Sequence, residues 1–147
     1  MLSTNIWMAI FLKKLDVVTI NQKVIIPDVV PNQVYDAYVD PKKQGEFTDS
    51  KASGKPVVGG KFSAWDGYIF GKFLSLEVGK LVVQEWTTTD WEEGYPASKL
   101  ELTFNKVPEG TEICLVQSNV PKAQAYEIEE GWTEFYWNPL KEYLKKT

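Results

Sequence analysis

The strongest pattern in this sequence is an apolar stripe near its C-terminal end, between Tyr126 and Lys146. At the helical period, one face carries Trp132, Phe135, Tyr136, Leu140, Tyr143 and Leu144. Because a single helix with so many large apolar side chains is unstable alone in water, the pattern predicts a long helix packed on a broad apolar surface. Pro139 lies inside this helix and lacks a backbone donor, which predicts a bend near Phe135.

The rest of the chain predicts the surface on which this helix packs. A β-branched run from Leu15 to Ile26 indicates a first strand, and Pro31 and Pro41 begin two short helices. Turn residues then separate five apolar segments, which predict strands at Val57–Trp65, Tyr68–Glu77, Lys80–Thr88, Ser98–Val107 and Thr111–Val120. We therefore expect an α+β fold, in which a curved antiparallel sheet of about six strands wraps around the long C-terminal helix.

The length of 147 residues predicts a single domain over residues 1–147. Residues 1–14 form an extra N-terminal segment of uncertain structure, expected as a strand or helix on the domain edge. Its apolar run from Ile6 to Leu12 is too short to cross a bilayer, which takes about 20 apolar residues. No membrane span is therefore predicted.

Composition argues against several classes of function. The net charge is −4, all 16 basic residues are lysines, and there is no arginine or histidine. An acidic chain without arginine is a poor candidate for nucleic-acid binding. Without histidine there is no histidine general base, no Ser-His triad and no histidine-ligated zinc. We assign no catalytic residue, metal or cofactor. The single cysteine, Cys114, cannot form an internal disulfide, which favours a cytoplasmic location.

Aromatic side chains are the best candidates for a functional site. They make up 14% of the chain and include six tryptophans, which is more than a small tight core needs. Large rings with a polar edge suit the wall of an apolar pocket, and a filled core without a ligand is the alternative. The residues expected to line a cavity or its rim are Trp65, Phe70, Trp86, Trp91, Trp132 and Tyr136.

A few polar residues interrupt the apolar strands, among them Gln84 and Gln117. Strand alternation is expected to turn these side chains towards solvent. The alternative is that one or two of them point inward, where each would need a hydrogen-bond partner from the protein or from a ligand.

Several short motifs, in their order and spacing, resemble an AHSA-type domain, the C-terminal domain of the activator of the heat-shock protein 90 ATPase. The matching residues are 34–38, Gly59-Gly60-Lys61-Phe62, Asp66-Gly67, Gly71, Trp86, Thr103-Phe104 and Gly131-Trp132. The resemblance covers residues 17–146. It implies membership of the START-like (SRPBCC, birch-pollen-allergen-like) superfamily and its helix-grip fold.

This resemblance implies two functions. In the superfamily, the sheet and long helix commonly enclose a cavity for an apolar molecule, so we expect a non-enzymatic domain that binds a small hydrophobic ligand. The alternative is a co-chaperone-like interaction module that binds heat-shock protein 90 and modulates its ATPase in the stress response. An enzyme of the cyclase or hydrolase type is the least favoured function, because without histidine or arginine, carboxylates, lysine, tyrosine or serine would have to carry out all proton transfer.

Overall fold

The computed structural model describes residues 15–146, so the N-terminal segment 1–14 lies outside the described residues. One antiparallel sheet has the strand order β1-β7-β6-β5-β4-β3-β2. Its strands are β1 Val17–Pro27, β2 Ser53–Gly54, β3 Lys61–Ala64, β4 Ile69–Glu77, β5 Leu81–Thr88, β6 Ser98–Val107 and β7 Gly110–Pro121. The predicted α+β architecture is confirmed, with seven strands in place of about six because the two-residue β2 also pairs.

The first strand lies at one edge of the sheet and pairs with the last strand. β1 lies antiparallel to β7 from Val17 opposite Pro121 to Pro27 opposite Gly110, with an irregularity between Val18 and Ile20. Long-range pairing of this kind brings the two ends of the domain together. The helix that follows β7 therefore starts beside β1, where the Lys122 N–H donates to the Asp16 carbonyl at 2.9 Å.

Two short helices follow β1, as predicted: α1 Pro31–Val39 and α2 Pro41–Thr48. Proline at the first position of each helix costs no hydrogen bond, because that N–H has no partner within a helix. Asp40 separates them, and its side chain accepts a hydrogen bond from the Lys42 N–H at 3.0 Å. These helices fill one end of the space between the sheet and the C-terminal helix.

The predicted strand Val57–Trp65 is wrong in its first part and at its last residue. Only Lys61–Ala64 is extended, and Val57 and Val58 are exposed in a tight turn that ends at Gly60. A Cβ on Gly60 would lie 2.1 Å from the Lys55 carbonyl oxygen, so this close turn requires glycine. Trp65 also leaves the strand, since its φ of 52° begins the turn to β4.

The C-terminal helix is continuous but has three parts: α3 Lys122–Gly131, a π-helical turn Trp132–Trp137 and α4 Asn138–Lys145. The Asn138 N–H bonds to the Thr133 carbonyl, five residues back, immediately before Pro139. The distortion expected from the proline thus takes the form of a π-helical turn.

This wider turn changes which residues face the sheet. Trp132, Tyr136 and Trp137 are buried, whereas Phe135 is 47% exposed. The predicted stripe is therefore wrong at Phe135, because a π-helical turn contains more residues than an α-helical turn and so changes the direction in which each side chain points. Leu140 and Leu144 of α4 are buried as expected.

Candidate ligand pocket

A pocket of about 460 Å³ lies between the sheet and the first half of the C-terminal helix, and it opens to solvent. Three regions form it: the turn before β4, the adjoining ends of β4 and β5, and one face of the helix from Gln124 to Tyr136. Its lining consists of Trp65, Tyr68, Ile69, Trp86, Thr88, Asp90, Gln124, Glu127, Ile128, Gly131, Trp132, Phe135 and Tyr136.

The pocket exists because α3 does not pack tightly on the sheet. This ten-residue helix has no buried residue, whereas the π-helical turn and α4 together bury Trp132, Tyr136, Trp137, Leu140 and Leu144. Below α4, the helices α1 and α2 contribute Tyr38 and Phe47 to a solid core. The C-terminal helix therefore covers a pocket at its α3 end and packs on a filled core at its α4 end.

Polar side chains help to hold α3 in place, in addition to the partly buried Ala125 and Ile128 that pack against the core. The Gln124 Nε2 donates to the Asp90 carbonyl at 3.2 Å, and its Oε1 accepts from the Glu92 N–H at 2.8 Å. At the other end, Gln22 of β1 donates from Nε2 to the Glu129 carbonyl at 2.7 Å. The helix thus forms a lid supported at both ends.

Aromatic rings form the inner wall of the pocket. The Trp132 ring centroid lies 5.7 Å from that of Trp86 and 4.6 Å from that of Tyr136. Nearer the opening, Trp65 meets Phe135 edge to face at 5.5 Å. Rings in these arrangements attract one another beyond simple burial, so the wall is well ordered without a ligand.

A buried polar chain fixes this wall from behind. The Trp132 Nε1–H donates to Gln117 Oε1 at 2.9 Å, and Gln117 Nε2 donates to Ser98 Oγ at 3.0 Å. The Ser98 hydroxyl donates in turn to the Trp86 carbonyl at 2.6 Å. The chain links β5, β6 and β7 to the helix, and it satisfies each of these buried polar groups.

The expectation that Gln84 and Gln117 face solvent is wrong. Both are buried, at 2% and 0% exposure. Gln84 shares its sheet face with Val82 and Trp86, and its Oε1 accepts a hydrogen bond from the Tyr38 hydroxyl at 2.6 Å. Each glutamine is tolerated inside because a phenol or indole donor on a helix pairs with it.

The opening of the pocket is polar and acidic. Asp90 Oδ1 accepts hydrogen bonds from the Thr88 hydroxyl at 2.7 Å and the Tyr68 hydroxyl at 2.7 Å. These donors, with Thr88 contributing most, hold the pKa of the Asp90 carboxyl below its usual range. Asp90 is therefore ionised at neutral pH and lies at the rim in a fixed position.

Of the six predicted site residues, four line the pocket: Trp65, Trp86, Trp132 and Tyr136. Phe70 does not, because it follows the pocket-facing Ile69 on β4 and so lies on the outer face, 42% exposed. Trp91 lies behind the wall, edge to face with Trp86 at 6.1 Å, and its Nε1–H donates to the Pro96 carbonyl at 2.9 Å. Trp91 therefore anchors its own loop.

Several lining residues were not predicted, although the sequence pattern indicated the inward position of some of them. Ile69 and Thr88 occupy the inward positions of their strands, two residues from Gly71 and Trp86 respectively. Ile128 precedes Trp132 by one helical turn. Asp90 had no such signal, because the loop conformation places it at the opening.

Within residues 15–146, no group of three or more histidine, cysteine, aspartate or glutamate side chains is arranged to hold a metal ion. Among the same residues, no helix is long and apolar enough to cross a membrane.

Comparison with known proteins assigns the family. A family model described as "Activator of Hsp90 ATPase homolog 1-like protein" matches residues 28–145. The chain belongs to this family. The AHSA-type resemblance predicted from the sequence is thereby confirmed, and the family match includes every lining residue of the pocket.

Curated proteins similar to this chain include activators of the 90 kDa heat shock protein ATPase, among them one from human and one from Dictyostelium discoideum. The human homolog 1 is 29% identical over 112 residues, which are 76% of this chain and 33% of that protein. The Dictyostelium discoideum homolog is 33% identical over 103 residues, 69% of this chain and 27% of that protein. The chain thus spans about a third of the length of the curated relatives it matches.

Solved structures share the fold over almost the whole domain. An HSP90 activator from Plasmodium falciparum has a TM-score of 0.74 at 25% identity, covering 88% of this chain and 96% of that one. A protein from Mesorhizobium loti has a TM-score of 0.76 at 23% identity, covering 88% and 98%. These similarities confirm the predicted helix-grip fold of the family member.

The buried chain behind the pocket predicts a strong coupling between Gln117 and Trp132. Gln117→Leu should lower the free energy of unfolding by about 1–3 kcal/mol, because the Trp132 N–H loses its acceptor in a buried place. In a Trp132→Phe background the same substitution should cost less, since the donor is already gone. Urea unfolding of the four proteins measures this coupling, and equal costs in both backgrounds would contradict it.

A second prediction concerns alkaline stability. Burial raises the pKa of the Tyr136 hydroxyl, and a hydrogen bond from Trp65 only partly opposes it. An unfolded tyrosine ionises near pH 10, so this group's contribution to stability is complete below about pH 10 and is lost as the pH rises further.

Tyr136→Phe should therefore reduce the loss of unfolding free energy above about pH 10 by up to about 1.4 kcal/mol per pH unit. Urea unfolding at a series of alkaline pH values measures the slope. Tyr126→Phe serves as the control, because this tyrosine is 75% exposed. Identical slopes for both variants would show that Tyr136 is not protected from ionisation.

Proposed function

We propose that this domain is a non-enzymatic module that binds a small apolar ligand in the pocket beneath α3. The observation that carries the proposal is the combination of a cavity of about 460 Å³ with a lid helix that has no buried residue. Ligand pockets have volumes of about 300–1,000 Å³ and are mostly apolar with a few polar groups. A ligand would add apolar contact to α3, whose Ala125 and Ile128 are only partly buried against the core.

The chemistry of the lining supports binding over catalysis. Its ionisable side chains are Tyr68, Asp90, Glu127 and Tyr136. The pKa of Asp90 is lowered, while burial raises the pKa of Tyr68 and Tyr136, so these three groups are all moved away from neutrality. A general base or acid is most effective when its pKa lies near the working pH. Affinity would come mainly from burying apolar surface, at about 25 cal/mol per Å².

Filling the pocket from the helix tests this proposal. Gly131 lines the pocket with helical φ, and a Cβ there would approach Phe135 no closer than 3.7 Å. Gly131→Leu should therefore keep the fold, gain up to about 1 kcal/mol of helix propensity and weaken ligand binding at least about tenfold.

Tryptophan fluorescence titration with naphthalene derivatives, sterols and flavonoids measures the affinity. Phe70→Ala is the matched control, because it removes an aromatic ring from the outer face of the sheet. The wild-type protein and the Phe70→Ala variant should bind alike. If no compound binds the wild-type protein, or if Gly131→Leu binds as well as the wild type, the pocket is not a ligand site.

A second candidate function is interaction with a heat-shock protein 90 chaperone, as in the alternative predicted from the sequence. The family description and the names of the human and Dictyostelium discoideum relatives favour it. The match to the Plasmodium falciparum HSP90 activator covers 96% of that chain, so that protein is similar in size to this one. This role would place the domain in the cytoplasm.

The chaperone proposal predicts a saturable change in ATP turnover when the folded domain is added to a purified 90 kDa heat-shock protein. Steady-state phosphate release measures turnover, and the heat-unfolded domain is the control. Gly131→Leu separates the two candidate functions, because filling the pocket should weaken ligand binding at least about tenfold, whereas a chaperone interaction that does not use the pocket should be unchanged. No binding and no change in turnover would remove this candidate.

A further inference from the structure

We infer that the pocket selects an aromatic ligand that carries an amine and rejects the corresponding carboxylate. This inference rests on the proposed ligand-binding function and adds a chemical class to it. It follows from three features of the pocket: the sign of the charges at its opening, the fixed position of one carboxylate, and the ring faces beside it.

The charges at the opening have one sign. Asp90 and Glu127 are the only charged side chains in the lining formed by residues 15–146, and no lysine belongs to it. The whole sequence contains neither arginine nor histidine, so lysine is its only basic side chain. A carboxylate ligand would therefore meet two negative charges without a counter-charge, whereas an ammonium group would be attracted.

Both acids act on the same place. The hydroxyl of Tyr68 donates to Asp90, and the negative charges of Asp90 and Glu127 add to the effect of burial in raising the pKa of that hydroxyl. Glu127 belongs to the lid helix, and Asp90 lies in the turn two residues after the end of β5. An ammonium group at the opening would thus lie between a carboxylate on the sheet side and a carboxylate on the lid side.

Asp90 is prepared to accept one more hydrogen bond. Thr88 and Tyr68 both donate to Oδ1, which fixes the carboxylate, and the two oxygens of a carboxylate together can accept about four hydrogen bonds. A positioned acceptor loses less side-chain entropy on binding a donor than a free one does. An amine N–H is the matching donor, and its bond to an ionised carboxylate is charge-assisted.

The apolar part of the ligand is expected to be aromatic because rings line the wall. Trp65, Trp86 and Trp132 line the pocket. Aromatic rings attract flat rings by stacking or edge contacts, and they attract cations. An aromatic amine would pack its ring against the wall and place its ammonium group beside the acids at the opening. A fatty acid would pack against the wall, but its carboxylate would be repelled at the opening.

Three probes that share a naphthalene ring test the inference: naphthylmethylamine, naphthylmethanol and naphthoate. Isothermal titration calorimetry with the full chain at neutral pH gives the three dissociation constants. The amine should bind at least about threefold more tightly than the alcohol, and the carboxylate at least about threefold more weakly, as expected for solvent-exposed charge pairs. Both differences should shrink between about 0.02 M and about 0.5 M salt, because salt screens exposed charges.

Charge-neutral variants identify the groups responsible. Asp90→Asn keeps an oxygen that can accept from Thr88 and Tyr68, so it removes the charge and leaves the local geometry in place. In the double variant Asp90→Asn, Glu127→Gln, the amine and the alcohol should bind with equal affinity. Glu130→Gln is the matched control, because Glu130 lies on the same helix outside the lining and its loss should leave the ratio unchanged.

The outcomes test ligand binding and charge selection separately. If the alcohol binds and the carboxylate binds as tightly as the amine, the pocket is a ligand site but the charge selection is wrong. If the double variant keeps the preference for the amine, the selection does not come from these acids. Binding of none of the three probes, as expected if another segment or a partner protein occupies the pocket, would overturn both proposals.

Discussion

The hydrogen bond between the Trp132 indole and the Gln117 amide is the interaction on which the rest of the structure depends. It joins the first residue of the π-helical turn to the inner face of β7. The large indole ring, only 2% exposed, anchors the helix by its apolar area, and the N–H needs a partner once it is buried. Gln117 supplies that partner and is itself held by Ser98, so one connected network fixes the helix over the sheet at Trp132.

The π-helical turn divides the helix into halves with different roles. Its i to i+5 register brings Trp132 and Trp137 onto one face, where their rings stack with centroids 5.3 Å apart. Beyond it, α4 packs against α2, and the Tyr143 hydroxyl donates to Glu46 at 2.8 Å. Before it, α3 extends over the opening. The solid half provides the stability that allows the other half to remain open.

Local patterns predicted much of this fold, because strand alternation, turn residues and a helical stripe are properties of neighbouring residues. The strand Ser98–Val107 was predicted to the residue. The π-helical turn was not predictable from a stripe evaluated at the normal helical period. Gln117 was misplaced because its partner Trp132 lies on another element, although it shares its sheet face with Ile113 and Leu115. Composition could not distinguish a pocket from a filled core, since that depends on how far α3 stands from the sheet.

The end-supported attachment of α3 has a consequence for how the protein moves. A helix whose apolar side chains are only partly buried contributes less to the cooperative unit that unfolds globally than a helix with fully buried ones, so its own opening free energy is smaller. Amide protons of α3 would then exchange through partial opening, while those of β6 and β7 exchange only with the whole domain. A molecule could therefore enter by displacing a few polar contacts, such as those of Gln124 and Gln22, and the packed tryptophans would not need to separate. Once inside, the molecule would contact α3, and part of its binding free energy would be spent on ordering this helix.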